Sequence, residues 1–223
     1  NVTFPALANS VVGPNYFLRT NGTNSESGPG FNDDIVSFDS DGFTLGADTY
    51  YAFCNTNTYT YVGWAWDSGT TTGSNADGSQ TSQVRVNQTA GVSIATFNTP
   101  DPSAQFTFGH GLNAVPEFVI FKFRDVTSNF YVYHKSIGQK YILLNSPDAA
   151  ATNEFTTTPT SSVFTYPSSL IVGADEPMLA FSFTSVEGFS DFGSYAGNGN
   201  AFGPFVYTGF RPRWVMVKSS SIG

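Results

Sequence analysis

The 223-residue sequence predicts an all-β protein, a jelly-roll or lectin-like β-sandwich built as two related units. Three observations predict it: an aromatic-rich, charge-poor composition, a series of short strand signals broken by turn residues, and an internal repeat. Hydrophobic residues make up 40% and aromatic residues 16%, with 22 Phe and 11 Tyr, whereas charged residues reach only 12%. That charged share is about half the usual one, and long exposed helices need abundant Glu, Lys and Arg on their outer faces. Gly (22) and Pro (12), with many Ser, Thr and Asn, supply turns instead.

The strand signals are short, aromatic or β-branched runs. They fall at Tyr59–Trp66, Val92–Phe97, Glu117–Phe123, Phe130–His134, Tyr141–Leu144, Met178–Phe183 and Arg213–Lys218. Turn clusters such as Asp39-Ser-Asp-Gly42 and Gly197-Asn-Gly-Asn200 separate them. Tyr59–Trp66 and Met178–Phe183 are almost continuously apolar, which predicts strands buried on both faces. One helical turn is predicted over Ser146–Thr152, where Pro147 follows a Ser cap.

The repeat sets the domain organisation. Gly91-Val-Ser-Ile-Ala-Thr-Phe97 and Pro116-Glu-Phe-Val-Ile-Phe-Lys122 recur as Gly188-Phe-Ser-Asp-Phe-Gly-Ser194 and Pro212-Arg-Trp-Val-Met-Val-Lys218. Pro116 to Pro212 is a shift of 96. In the N-terminal half, Gly13-Pro-Asn-Tyr-Phe-Leu-Arg19 resembles Gly138-Gln-Lys-Tyr-Ile-Leu-Leu144, a shift of 125. Phe43-Thr-Leu-Gly-Ala-Asp48 resembles Leu170-Ile-Val-Gly-Ala-Asp175, and Tyr61–Trp66 sits where Met178–Phe183 sits. Residues 91–186 therefore read as one whole sandwich unit. Residues 1–66 and 187–223 read as the two complementary parts of another, with the Gly/Ser/Thr-rich stretch 67–90 a linker or insert. The two parts could pair within a chain, pair between neighbouring chains, or be cut from a longer tandem array. The start at Asn1, without Met, is what a processed chain or a portion of a longer one would show.

The charge balance excludes several functions. With 17 acidic and 9 basic residues the net charge is −8, which is wrong for phosphate backbones and for anionic membrane surfaces. No apolar run approaches the roughly 18 to 20 residues of a membrane-spanning helix. Cys54 is the only cysteine, so an intrachain disulfide is excluded. Asn1, Asn21 and Asn87 stand in glycosylation acceptor patterns, which matter only in a eukaryotic secretory setting.

Several long strings carry a family resemblance. They are Val36-Ser-Phe-Asp-Ser-Asp-Gly-Phe-Thr-Leu-Gly46, Trp64-Ala-Trp-Asp-Ser-Gly-Thr-Thr-Thr-Gly73, the stretch from Ser74 to Gly91, the stretch from Val186 to Gly199, and Gly203-Pro-Phe-Val-Tyr-Thr-Gly-Phe-Arg-Pro212. Over residues 12–218 the chain resembles a repeat domain of large structural, tail-fibre-like proteins of marine tailed phages, notably cyanophages. Members of that family continue past the position of Gly223 with an aromatic strand and a Tyr-rich turn, and the first 11 residues here match poorly. The resemblance implies a place, the virion surface or extracellular side, more than a chemistry. It implies partners among other virion proteins or copies of itself, with a homo-oligomer, a trimer for instance, expected.

Candidate chemistry is sparse. His110 lies between two glycines and His134 ends a strand; no short-spaced pair of ligands accompanies either, and no Gly-x-Ser-x-Gly elbow is present. Glu117, Glu154, Glu176 and Glu187 sit at strand edges or in turns, whereas glycoside hydrolysis needs two convergent acids. Asp39 and Asp41 alternate as in a Ca²⁺ loop, with Asp33 and Asp34 nearby; a hairpin turn between Ile35–Phe38 and Phe43–Leu45 is preferred to a metal site. Tyr59, Tyr61, Trp64 and Trp66 would give a sugar platform if exposed, but the expectation is that they fill the sandwich interior, as Trp214 does in the place of Phe118. Asn198 and Asn200, with Tyr59 and Tyr61, are the candidates for contact with host glycan. The sequence thus predicts a non-enzymatic structural or adhesion protein of a virion surface. A pure assembly or filament module is the alternative, and a polysaccharide-degrading tail protein a second one.

Overall fold

The computed structural model describes residues 5–28, 35–47, 54–152 and 154–221. Its centre is an antiparallel sheet of seven strands. In chain order these are β5 (Thr72–Asn75), β6 (Ser82–Asn87), β7 (Val92–Asn98), β9 (Phe118–Phe123), β10 (Tyr131–His134), β11 (Ile142–Leu143) and β13 (Pro177–Phe183). Across the sheet the order is β11-β10-β9-β13-β7-β6-β5. A two-stranded ribbon of β8 (Phe106–Gly109) and β12 (Val163–Tyr166) covers one face, so this part is the all-β sandwich the composition predicts.

Successive side chains of a strand point to opposite faces, and the central strands are apolar on both. In β13, Met178 and Ala180 face the ribbon, while Leu179 and Phe181 face away. In β9, Val119, Phe121 and Phe123 face the ribbon and Ile120 faces away. The ribbon-side core is a stack of rings. Phe121 lies within 5.0 Å of both Phe164 and Tyr166, 5.8 Å from Phe155 and 6.1 Å from Phe108. Gly91 closes the β6–β7 turn at φ +67°, where a Cβ would stand 2.5 Å from the Thr184 carbonyl oxygen.

The outer face is covered by the N-terminal hairpin β1 (Ala6–Asn9) and β2 (Gly13–Arg19). Asn9 shapes its turn, accepting the N–H groups of Val11 (3.2 Å) and Val12 (3.0 Å) on Oδ1. Leu18 then packs with Phe130, Leu179 and Phe181. A second hairpin, β3 (Ile35–Phe38) with β4 (Phe43–Leu45), follows the turn reading given for those residues.

Three expectations require correction. Residues 67–90 are no linker: they supply β5 and β6, and Val84 and Val86 belong to the core because Ser82–Asn87 alternates inward and outward. Ser146–Thr152 is not helical, because the Ala150 and Ala151 N–H groups go to the carbonyls of Ser220 (3.0 Å) and Tyr141 (2.9 Å) rather than back along a helix. The short 3₁₀ turns are Lys135–Ile137 and Ser168–Leu170. Finally, Tyr59–Trp66 and Arg213–Lys218 run without entering a sheet, and among the described residues no ladder joins 5–66 to 187–221.

Candidate functional site

The surface feature that stands out is aromatic. Trp64 and Trp66 are 61% and 49% exposed, Phe202 and Phe205 91% and 89%, Tyr207 78% and Trp214 51%. Tyr59 and Tyr61 are exposed as well. This overturns the expectation that the Tyr59–Trp66 rings and Trp214 fill a sandwich interior. The physical reason lies in the neighbours. Met178–Phe183, the counterpart of Tyr61–Trp66, has β7 on one edge and β9 on the other; Tyr61–Trp66 has no ladder on either edge among the described residues. Side chains that a sheet would sequester therefore stand in solvent. One trace of the expected pairing survives. Phe183 is the partner of Phe118 in the β13–β9 ladder, with rings 5.5 Å apart, and their counterparts Trp66 and Trp214 meet edge-on at 6.0 Å.

The other predicted contact residues are placed separately. Asn198 and Asn200 are exposed in the glycine-rich turn, but the Asn198 amide shapes the turn itself: Nδ2 donates to the Phe202 carbonyl (2.9 Å) and Oδ1 accepts the Asn200 N–H (3.0 Å). Tyr61 accepts the Thr56 N–H on its hydroxyl (3.1 Å). No hydrogen bond or ring contact among the described residues brings the two asparagines to Tyr59 or Tyr61. Asp39 and Asp41 are exposed at the β3–β4 hairpin; Asp39 accepts the Thr44 hydroxyl at 2.8 Å, and its N–H donates to the Gly42 carbonyl. Asp33 and Asp34 lie outside the described residues, among which no three His, Cys, Asp or Glu side chains converge. Asn1 also lies outside them, Asn21 is exposed, and the Asn87 amide is engaged by Asp67 and Ala90.

The groups with most chemistry are committed to structure. His110 is fully buried: Nδ1 accepts the Leu112 N–H (3.2 Å), which leaves Nε2 to donate to the Thr160 carbonyl (3.2 Å). Burial holds this imidazole below its ordinary range, so it is neutral. Glu117 pairs with Lys135 (2.8 Å) and with the Ser185 hydroxyl. Burial pushes its carboxyl up, but the bonds from Lys135 and Ser185 outweigh that and hold it below the usual range. An ionised, saturated carboxylate is the opposite of a general acid. It borders a cleft of about 340 Å³ with Tyr133, Gln139 and Phe155, residues that no motif in the sequence links.

Two cations that sequence reading passed over tie the N-terminal segment to the sheet. Lys122 is buried, and its Nζ donates to the carbonyls of Thr23 (3.2 Å) and Ser128 (2.7 Å) and to the Ser128 hydroxyl (3.0 Å), above the Phe130 ring. Burial lowers it to about 8. Arg124 pairs with Glu26 at 2.6 Å, and burial raises the Glu26 carboxyl despite that partner. The alternation of β9 puts Lys122 on the face of Ile120, opposite Phe121 and Phe123, and the N-terminal segment that covers this second face buries it.

Among the described residues no helix is long and apolar enough to cross a membrane. No curated protein and no solved structure matches the chain. A family model does, over residues 2–223, and the chain belongs to the family described as Domain of unknown function (DUF7483).

Proposed function

We propose that this chain is a non-enzymatic structural and adhesion protein of a phage virion surface, a tail-fibre or decoration component that contacts host glycans. The observation that carries the reading is the exposed aromatic segment Tyr59–Trp66, held outside any sheet in an otherwise charge-poor β protein. Flat rings presented to solvent stack on the C–H faces of sugars, and many weak contacts displayed together give avidity. The resemblance to repeat domains of tailed-phage structural proteins supports the virion setting. Chains displayed on beads are expected to bind a subset of a glycan array or host cells, and Tyr59→Ala with Tyr61→Ala to reduce that binding at least tenfold. Absence of binding to any glycan or host surface would exclude adhesion. A pure assembly module is the second reading, favoured by the repeat segments Tyr59–Trp66 and Arg213–Lys218, which join no ladder among the described residues. The commitment of Glu117 to Lys135 and Ser185 speaks against a polysaccharide-degrading role, for which release of reducing ends is the assay.

A further inference from the structure

At the end of the central sheet, β9 and β10 continue one rung beyond their last ladder pair, because the Lys135 N–H donates to the Glu117 carbonyl at 2.8 Å. That rung sets Glu117 opposite Lys135, and their side chains join at 2.8 Å. The Glu117 carboxylate also accepts the Ser185 N–H (3.1 Å) and hydroxyl, which fixes it in place. Lys135 spends one of its three N–H donors on Glu117, and its side chain is 40% exposed. Its other two donors have no partner among the described residues.

Tyr133, two positions earlier in β10, lines the same cleft with a hydroxyl that bonds no group among the described residues. Burial and the Glu117 charge hold this phenol above its ordinary range, so it keeps its proton to donate. Gln139 follows the 3₁₀ turn Lys135–Ile137. Its carbonyl accepts the N–H groups of Glu154 (3.0 Å) and Phe155 (2.9 Å), which seats the Phe155 ring edge-on to Tyr133 at 5.7 Å. Its exposed side chain has Nε2 on the Thr156 carbonyl at a long 3.4 Å, and Oε1 has no partner among the described residues.

We propose that this cleft binds one neutral sugar ring, the terminal residue of a host glycan, through Tyr133, Lys135 and Gln139. The inference rests on the adhesion reading and gives it a contact other than the Tyr59–Trp66 segment. Three features select the ligand. The first is charge: Glu117 and Lys135 cancel at the cleft, and a net charge of −8 repels anions at range. The second is hydrogen bonding. The ammonium and phenol donate while the amide and phenol oxygens accept, and adjacent sugar hydroxyls, each donor and acceptor, satisfy both. The third is size. The cleft's volume of about 340 Å³ lies at the small end of the roughly 300–1,000 Å³ of ligand clefts, room for one ring with its C–H groups against Phe155 and Val115.

The test titrates the whole isotope-labelled chain with methyl glycosides of glucose, galactose, mannose, rhamnose, fucose and N-acetylglucosamine. The readout is the Gln139 side-chain amide resonance, assigned by its loss in Gln139→Ala. At least one sugar is expected to shift it, with a dissociation constant on the order of 1 mM. Tyr133→Phe keeps the ring and removes only the hydroxyl; it is expected to weaken that sugar about fivefold with the melting temperature unchanged. The chain carrying Tyr59→Ala with Tyr61→Ala is expected to bind the same sugar as the native chain does. No shift with any of the six overturns the cleft assignment. So does equal affinity in Tyr133→Phe, or binding of glucuronate where the neutral sugars do not bind. If glycan-array or host-cell binding persists in that event, adhesion stands and the cleft alone is lost; if that binding is absent too, both readings fall.

Discussion

The buried Lys122 makes stability depend on pH in an unusual window. Its ammonium is lowered to about 8, against an ordinary 10.5 in the unfolded chain. Below pH 8 both states hold the proton and the group contributes no slope. Between 8 and 10.5 the folded state has lost the proton while the unfolded state keeps it, so stability rises with pH, by up to about 1.4 kcal/mol per unit. From pH 7.5 to 10 the gain from this group works out at about 2 kcal/mol. The tyrosines whose hydroxyls burial pushes up, Tyr131, Tyr133 and Tyr166, act the other way as pH approaches and passes 10, and they do so equally in a variant that keeps them. The assay is urea unfolding at pH 7.5, 8.5, 9.3 and 10 on the native chain and on Lys122→Met, which keeps the length of the side chain without a titrating group. The native chain should gain about 2 kcal/mol relative to the variant across that series, whatever the absolute cost of the substitution. Equal slopes in the two proteins would refute the reasoning, as would a Lys122 Cε resonance, assigned by its loss in Lys122→Met, titrating near 10.5 in the folded protein.

Other perturbations follow from the same contacts. Phe121→Ala removes a fully buried ring from the middle of four others and should cost about 4 kcal/mol of unfolding free energy, against less than about 0.5 for Phe205→Ala measured in dilute solution. Gly91→Ala combines a left-handed backbone with a 2.5 Å approach to the Thr184 oxygen, and its melting temperature should fall by several degrees, with loss of about 2 kcal/mol or more. His110 is neutral in the fold and charges more readily once unfolded. The unfolded chain therefore binds the extra proton first, and stability should fall as pH drops below 6.5, a decline that His110→Gln reduces in acid-denaturation curves.

Much of the sandwich was legible because its strands obey simple periodicities. Met178–Phe183 reads as a strand apolar on both faces, and it lies between two partners with both faces covered. Tyr61–Trp66 reads the same way and is exposed, because periodicity reports which side chains suit burial and is silent on whether neighbouring strands arrive. Residues 67–90 misled in the opposite direction: Gly, Ser and Thr suggest a linker, yet an outer strand such as β5 needs few apolar residues, since one edge and part of its surface remain in water. His110 was legible as a residue flanked by glycines, but its burial depended on Thr160, fifty positions away. The glycan candidates were legible only as exposed polar turns, and Asn198 turned out to be spending its amide on the turn itself.

The N-terminal hairpin has a mechanical consequence. It lies flat on the sheet's outer face, held by the side chains around Leu18 and by two polar anchors, Lys122 with Thr23 and Arg124 with Glu26. It shares no strand ladder with the seven-stranded sheet beneath. Tension applied at residue 5 would therefore peel the hairpin away a few contacts at a time, while the ladders of the central sheet remained unloaded. Lifting it would uncover Leu179 and Phe181, so the same pull that extends the chain would also expose a fresh sticky surface.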